Sequence, residues 1–159
     1  MNRQTTNTIL MIRPVQFRMN EQTAVNNYYQ KILGNLSPSV INIRAVNEFD
    51  AFVDKLRAVG IQIIVMNDTQ EFDTPDSIFP NNWISFHNNG SIALYPMFAK
   101  NRRLERKESI LEGVEKKGFL INSVQDYTNA EADSVFLEGT GSIILDLSLI
   151  HISEPTRPL

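Results

Sequence analysis

The spacing of apolar positions in the first half of the chain predicts alternating strands and helices. Three short apolar runs have the length and composition of buried strands: Thr8–Arg13, Val40–Arg44 and Gln62–Met66. Apolar residues at helical spacing occur in two other segments. The first follows Asn20, a typical helix N-cap, and extends to about Leu33 before Gly34. The second is Glu48–Val59, and Gly60 is expected to end it.

The second half of the chain continues the alternation. Asn88, Asn89 and Gly90 form a strong turn signal, which predicts a hairpin between Trp83–His87 and Ser91–Tyr95. A helix is expected over Arg103–Lys117, ended by Gly118, with these inward-facing residues: Leu104, Ile110, Leu111 and Val114. Three more strands are predicted, at Phe119–Val124, Ser134–Leu137 and Ser142–Leu145. The order indicates an α/β fold in which a strand, helix, strand and hairpin unit recurs.

Composition limits the classes of protein that fit this pattern. With 159 residues, 42% hydrophobic and 21% charged, the chain has the size and composition of one globular domain. A net charge of -3 argues against binding to nucleic acid or to a membrane surface, which usually requires a basic face. Residues 1–8 are polar and unlike a signal peptide, and no apolar run could span a bilayer. We therefore expect a cytoplasmic protein.

Two residue types that often carry chemistry are rare or absent. The sequence contains no cysteine, which excludes disulfides, thiolate metal sites and cysteine catalysis within this chain. Its two histidines, His87 and His151, argue against a histidine-rich metal site. We expect neither a metal nor another cofactor.

Two polar loops stand at predicted strand ends, where α/β proteins commonly keep their functional residues. In the first, DTPDSIFPNN, Pro80 stiffens a loop that carries Asp76, Asn81 and Asn82. Its carboxylate suits a cation and its amides suit a neutral, urea-like group. The alternative is an Asx-rich turn that satisfies its own backbone. In the second, EGTG, Glu138 could serve in acid–base chemistry or bind a guanidinium, or be an ordinary acid at a strand end.

A third polar segment, NRRLER, places two cations at the predicted start of a helix. A helix dipole disfavours Arg102 and Arg103 there, which points to a carboxylate or phosphate ligand. The alternative is a solvated face on which Glu105 and Glu108 balance the charge.

Together these segments resemble a known superfamily. PDSIFPNNW, LYPM followed by NRRLER, and FLEGTGSIILD are similar to motifs of the guanidino-group-modifying enzymes, which include arginine deiminases, dimethylarginine hydrolases and amidinotransferases. The opening MIRPVQF resembles the citrulline-utilisation hydrolase branch. The resemblance covers Ile9 to Asp146 and implies roughly the first half of a five-bladed α/β propeller of the pentein type. Its units would be ββαβ-like, with the substrate in the central channel.

The resemblance also implies roles for individual residues. Asp76 and Asn82 would hold the amino and guanidino ends of the substrate, and Arg102 or Arg103 would clamp its α-carboxylate. Glu138 would bind the guanidino or ureido nitrogens and steady a catalytic histidine. Several arginine-acting relatives have a carboxylate where this chain has Asn82, and an amide suits a neutral ureido group better than a cation. The expected substrate-binding residues are Asp76, Asn81, Asn82, Arg102 and Arg103, with Glu138 as the expected catalytic residue.

The cysteine and histidine that carry the superfamily's chemistry normally follow the LEG motif, and this chain shows neither at a matching position. After Asp146, the string LSLIHISEPTR resembles a translated transposon-end sequencing adapter. We therefore expect residues 1–146 to be the native part of the catalytic domain and residues 147–159 to be read-through. The alternative is a genuine edge strand, which would contain Leu149, Ile150 and Ile152.

Three functional hypotheses remain open at this point. The chain is a fragment of a hydrolase for citrulline, arginine or methylated arginine, inactive as it stands. In the second hypothesis, the chain is a binding module for such ligands that never had a nucleophile. In the third, it is part of an amidinotransferase, which passes the amidino group to an amine. Native downstream sequence separates the first two hypotheses, and product analysis separates hydrolase from transferase.

Overall fold

Strands and helices alternate along the chain in the computed structural model, which describes residues 6–25, 27, 36–145 and 151–153. The described strands are β1 (Thr8–Arg13), β2 (Gln62–Asn67), β3 (Ile84–Phe86), β4 (Ser91–Leu94), β5 (Ser123–Asp126), β6 (Ile143–Leu145) and β7 (His151–Ser153). The described helices are α1 (Glu21–Ala24), α2 (Pro38–Ala58), α3 (Lys100–Arg103), α4 (Glu108–Lys116) and α5 (Gly139–Ser142). Two 3-10 turns, Pro80–Asn82 and Thr128–Asp133, lie in the loops.

The described strands form three small sheets. β1 and β2 are parallel, with Thr8 opposite Gln62 and Arg13 opposite Asn67, and α2 lies in the crossover that a parallel pair requires. In the second sheet β4 is central, antiparallel to β3 and parallel to β5, and α4 lies in the β4–β5 crossover. β6 and β7 form an antiparallel pair. This arrangement confirms the predicted α/β class.

One apolar core joins the first two sheets. Its fully buried members come from both sheets, from α4 and from the intervening loops: Ile12, Trp83, Ile84, Ile92, Met97 and Ile110. Gly113 on α4 faces Met66 of β2, where an added Cβ would collide with the methionine side chain. The absence of a side chain at Gly113 therefore lets α4 approach β2 closely.

Several predicted elements are confirmed. β1 has the predicted bounds, β2 ends one residue later than expected, and the hairpin forms between β3 and β4 around Gly90. The predicted stops after α2 and α4 are Gly60 and Gly118, at φ values of 85° and 93°. These angles lie in the left-handed region, which glycine adopts at little cost.

The strand predicted at Val40–Arg44 was wrong, because this segment belongs to α2. Ser37 caps that helix by accepting a hydrogen bond from the Val40 N–H, and Pro38 occupies the first turn. Partly and fully buried residues then recur at helical intervals through Phe49 and Val53. The β-branched run matched a strand locally, but the cap and the longer helical period decide the outcome.

The long helix predicted over Arg103–Lys117 is divided into α3 and α4. Leu104, expected to face inward, lies in the break between them and is 42% exposed. Arg102 and Arg103 consequently end α3 and do not begin a long helix. A four-residue helix has little dipole, so the predicted electrostatic penalty does not apply to these arginines.

The strand predicted at Ser134–Leu137 was also wrong. Ser134 caps the preceding 3-10 turn with φ 58°, and this left-handed residue redirects the chain into an irregular segment. β5 begins at Ser123, later than the expected Phe119. The EGTG motif forms the short helix α5, where a turn between two strands had been expected.

The N-terminal helix is shorter than predicted. Asn20 caps α1 as expected, by accepting from the Gln22 N–H, but α1 ends at Ala24 and Asn27 is not helical. The predicted end at Leu33 and Gly34 lies outside the described residues, as does Asp146. None of the helices in the described ranges combines the length and the apolar character needed to cross a membrane.

Candidate active site

The loop between β2 and β3 is unusually buried for a connecting segment. Loops normally stay at the surface, where water can satisfy their backbone groups. Here Thr74, Asp76 and Ser77 are 1%, 4% and 3% exposed. Successive turns fold the loop on itself: the Phe79 N–H donates to the Asp76 carbonyl, and the Asn82 N–H donates to the Phe79 carbonyl. Backbone hydrogen bonds and the burial of its side chains therefore both hold the PDSIFPNN motif in one conformation.

Asp76 lies in a buried polar cluster that three segments build together. Its Oδ2 accepts hydrogen bonds from Asn20 Nδ2 at 2.8 Å and from Thr23 Oγ1 at 3.2 Å. Asn20 in turn exchanges two amide hydrogen bonds with Asn101, at 2.9 and 3.2 Å. The N-cap of α1, the PDSIFPNN loop and α3 thus meet at one point, and we call the group Asn20, Asp76, Asn101, Arg102 and Glu105 the buried junction.

Arg102 and Glu105 form the charged part of the buried junction. They are 5% and 2% exposed, and Nε and Nη2 of Arg102 donate to the two carboxylate oxygens of Glu105 at 3.0 and 3.1 Å. Nη2 also donates to the Phe79 carbonyl at 3.1 Å and lies 3.5 Å from the Asp76 carbonyl. Arg102 therefore braces the backbone of the PDSIFPNN loop.

Burial and charge oppose each other within this ion pair. Burial raises the pKa of Glu105 to about 7, although Arg102 works against that shift. Burial lowers the pKa of Arg102, but the charge and hydrogen bonds of Glu105 outweigh it, so the net shift of this pKa is upward. The negative charges of Asp76 and Glu138 add to this effect, which places Arg102 in the field of both predicted site carboxylates.

The other end of the loop meets the EGTG motif, and we call this group the loop contact: Asn81, Asn82, Glu138, Gly139 and Thr140. Asn81 Nδ2 donates to Thr140 Oγ1, and Asn82 Nδ2 lies 3.5 Å from the Glu138 carbonyl. An added Cβ on Gly139 would collide with the carbonyl oxygen of Asn81 and would be in tight contact with that of Asn82. The glycine of the LEG motif is therefore what allows these two loops to touch.

Glu138 is held by the segment that follows β4. Its Oε1 accepts from the Phe98 N–H at 3.1 Å, and its residue is partly buried. Phe98 packs edge-to-face on Phe136, with ring centroids 5.4 Å apart, and the Arg103 guanidinium lies 5.7 Å from the Phe136 ring. Arg103 also donates to the Met97 and Phe98 carbonyls, at 2.9 and 3.2 Å.

The predicted site residues thus separate into groups. Asn81, Asn82 and Glu138 are brought together at the loop contact, and Arg102 braces the loop that contains Asp76. Arg103 points instead to the backbone around Phe98. Sequence reasoning missed the roles of Asn20 and Asn101 as partners of Asp76, because neither residue stands near it in the chain. The Asn20 cap signal was the one clue, and it explained only the local helix start.

A further group was missed altogether. Glu131 accepts from Arg106 Nη1 at 2.6 Å, from Arg106 Nη2 at 3.1 Å and from the Met97 N–H at 2.8 Å. Glu131 lies in a polar turn, and no sequence motif there distinguishes it from a solvated acid. In the described part of the chain, no group of three or more acidic or histidine side chains is arranged to hold a metal ion.

The family follows from comparison with known sequences. A family model described as N,N dimethylarginine dimethylhydrolase, eukaryotic, matches residues 13–157. The chain belongs to this family. The membership confirms the predicted guanidino-group-modifying superfamily. No curated protein matches the chain at a significant level.

Solved structures show the same fold. The apo arginine dihydrolase ArgZ from cyanobacteria superposes with a TM-score of 0.61 at 16% identity, over 89% of this chain and 19% of that one. Unliganded AgrE gives a TM-score of 0.59 at 19% identity, over 89% of this chain and 18% of that one. The N-terminal domain of a Cys-to-Ser ArgZ variant with bound substrate gives 0.56 at 16% identity. That match covers 89% of this chain and 45% of the ArgZ domain, so the chain spans less than half of its structural relatives.

Proposed function

We propose that the chain is the first half of a cytoplasmic hydrolase that cleaves a non-peptide carbon–nitrogen bond of a guanidino or ureido amino acid. The loop contact is the observation that carries the proposal. It brings Asn82 and Glu138, which come from two separate motifs of the superfamily, to opposite sides of one contact. Family membership supports the guanidino hydrolase class, and the arginine dihydrolase ArgZ shares the fold. We also propose that the complete domain is a five-bladed propeller of which this chain forms part.

The proposed chemistry uses a cysteine and a histidine that lie beyond this chain, which has no cysteine. A thiolate attacks the guanidino or ureido carbon, and the histidine protonates the amine that leaves. The histidine then takes a proton from water, which attacks the carbon and releases the thiolate. Glu138 binds the substrate nitrogens and orients the histidine, and the hydrogen bond from the Phe98 N–H to Oε1 fixes its carboxylate.

The remaining predicted residues bind substrate or shape its site. Asn81 and Asn82 offer amide groups at the loop contact. Asp76 fixes the loop that carries them and binds the amino end of the substrate. We assign the α-carboxylate of the substrate to Arg102 or Arg103. Their side chains are 6% and 26% exposed, so Arg103 is the more accessible, whereas Arg102 lies in the field of Asp76 and Glu138.

We further propose that Asn82 favours citrulline over arginine. A neutral amide complements a ureido group, whereas a guanidinium would lack a compensating charge at this position. The test joins the chain to its native downstream sequence and measures turnover of citrulline, arginine and methylated arginines. We expect Asn82→Asp to shift the ratio of kcat/KM toward arginine by about tenfold, equivalent to about 1.4 kcal/mol.

The matched control is Asn88→Asp, which makes the same change in the exposed turn of the β3–β4 hairpin. An equal shift in both variants would remove Asn82 as the source of selectivity. No turnover of any of these substrates by the joined protein would refute the hydrolase. The binding-module hypothesis would then predict saturable binding of arginine or citrulline without product.

The boundary after Asp146 is part of the same proposal. β7 pairs the backbone of His151–Ser153 with β6, as the edge-strand alternative requires, so the pairing alone does not favour read-through. Sequencing the source DNA past codon 146, from a library made without transposon adapters, decides the matter. We expect a continuous frame with a histidine and a late cysteine. A genomic LSLIHISEPTR followed by a stop codon would contradict the boundary.

A further inference from the structure

The segment Tyr95–Phe98, just after β4, is held mainly by charged side chains. Arg106 donates to the Tyr95 carbonyl at 3.2 Å, and Arg103 donates to the Met97 and Phe98 carbonyls. Two backbone hydrogen bonds are present as well: the Tyr95 N–H donates to the Trp83 carbonyl at 2.9 Å, and the Leu137 N–H donates to the Pro96 carbonyl at 3.1 Å. The position of this segment therefore depends in part on arginine side chains from the stretch that follows it.

Glu131 is the centre of that arrangement. Its side chain is 11% exposed, and its carboxylate accepts hydrogen bonds from both Nη atoms of Arg106. Arg103 Nε lies 3.3 Å from the same carboxylate. Burial opposes ionisation of Glu131, but the hydrogen bonds from Arg106 and Met97 and the charges of both arginines outweigh it and lower its pKa. Glu131 is consequently a carboxylate at neutral pH, and it remains able to accept from several donors at once.

Two consecutive backbone amides connect Glu131 to Glu138. The Met97 N–H donates to Glu131 Oε1 at 2.8 Å, and the next amide, Phe98 N–H, donates to Glu138 Oε1 at 3.1 Å. The two amides lie in adjacent rigid peptide planes that share the Met97 Cα, so a shift of the first plane moves the starting point of the second. Arg103 Nε donates to the Met97 carbonyl, which lies in the same plane as the Phe98 N–H, and it is 3.3 Å from the Glu131 carboxylate. Arg103 links the two ends by binding both carbonyls of this dipeptide.

We propose that Glu131 is a positioning residue for Glu138: by fixing the Met97 amide it aims the Phe98 amide at the Glu138 carboxylate. The inference rests on the proposed role of Glu138 in catalysis. It extends that role, because Glu131 is not among the residues proposed to touch the substrate and acts on catalysis through Glu138. Arg106 and Arg103 are the counter-charges that keep Glu131 ionised and in place.

The first test needs no catalytic activity. Hydrogen exchange is measured by NMR for the Met97 and Phe98 amides of the full chain, relative to the core amide of Ile92, in wild type and Glu131→Gln. We expect both ratios to rise at least tenfold, since glutamine accepts weakly and attracts neither arginine. Normalising to Ile92 removes the effect of any general loss of stability.

Two variants make the direction of the effect testable. Glu138→Gln should speed exchange at Phe98 with little change at Met97, and Glu112→Gln, an exposed control that pairs only with Lys116 at 3.5 Å, should change neither. A Glu131→Gln protein with faster exchange at Met97 and unchanged exchange at Phe98 would overturn the proposal. That result would mean that the two amides are held independently.

The second test uses the protein joined to its native downstream sequence. We expect Glu131→Gln to lower kcat at least tenfold with less than a twofold change in KM, and Glu131→Asp, which keeps the charge, to recover part of the loss. Unchanged kcat would refute the positioning role while the hydrolase proposal stood. If the wild-type protein turned over none of the substrates, the hydrolase proposal would fail and the exchange measurement would still decide the link between Glu131 and Glu138.

Discussion

The buried junction and the loop contact hold opposite ends of the same loop in different ways. Asp76, at one end, is 4% exposed and receives short hydrogen bonds from Asn20 and Thr23. Asn82, at the other end, is partly exposed and has a 3.5 Å contact with the Glu138 carbonyl. The difference shows that one end of the loop is buried and closely hydrogen-bonded, whereas the other end keeps polar side chains at least partly exposed.

Desolvation predicts that the two ends differ in rigidity. A buried polar group costs free energy unless it is hydrogen-bonded, so the buried junction persists only if all its members keep their partners. An exposed amide can exchange a protein partner for water or for a ligand at little cost. A loop that must accept substrate while keeping its shape gains from having both kinds of end.

Removing one charge from the buried junction should have the largest effect. We expect Glu105→Ala to lower the free energy of unfolding by about 3–5 kcal/mol at pH 8, because the buried Arg102 loses the carboxylate with which it is paired. Urea denaturation measures the change. Glu112→Ala, which removes an exposed glutamate from α4, is the matched control and should cost less than about 1 kcal/mol. Equal losses in the two variants would mean that the buried junction does not anchor the loop.

A pair of asparagines compares the two ends directly. Asn20→Ala should cost about 2–3 kcal/mol, because it removes both the α1 cap and a buried donor to Asp76. Asn81→Ala should cost less than about 0.5 kcal/mol, since Asn81 is exposed and water can replace it as a partner of Thr140. Thermal or urea unfolding of both variants provides the comparison. A larger loss for Asn81 would reverse the assignment of anchored and presenting ends.

Elements with clear local signals could be predicted from the sequence. β1, the β3–β4 hairpin and the glycine stops at Gly60 and Gly118 depend on residues within a few positions, and all are confirmed. The strand predicted at 40–44 was wrong. Its β-branched residues fit a strand, but the Ser37 cap and the burial of Phe49 make the segment helical. A local pattern is ambiguous when the features that decide it lie outside the segment itself.

The candidate site was only partly readable for the same reason. Motif resemblance indicated Asp76, Asn82 and Glu138, and the structure brings the last two together. The partners that support them come from distant segments: Asn20 and Asn101 for Asp76, and Glu131 through Phe98 for Glu138. Asn20 and Asn101 are 81 positions apart and Asn20 and Asp76 are 56 apart, so no spacing rule could have joined them.

The most diagnostic effect is a difference in pH dependence between two glutamates. Glu105 in the buried junction has a folded pKa of about 7 against an ordinary value of 4.5, so the folded state binds its proton more tightly than the unfolded state. Its contribution to stability is present below pH 4.5 and is lost as the pH rises to about 7. Glu131 has a lowered pKa, so its contribution is present above its ordinary value and is lost as the pH falls through the folded pKa.

Urea titrations of wild type, Glu105→Gln and Glu131→Gln between pH 3 and pH 8 separate these two effects, and the change at Glu105 is expected to reach about 3 kcal/mol because its pKa rises from 4.5 to about 7. The stability of wild type relative to Glu105→Gln should fall as the pH rises from about 4.5 to about 7. Relative to Glu131→Gln it should fall as the pH drops below about 4.5. If both differences changed in the same direction, burial would not dominate at Glu105. The buried junction would then be an ordinary ion pair, and the contrast between the two ends of the loop would rest on hydrogen bonding alone.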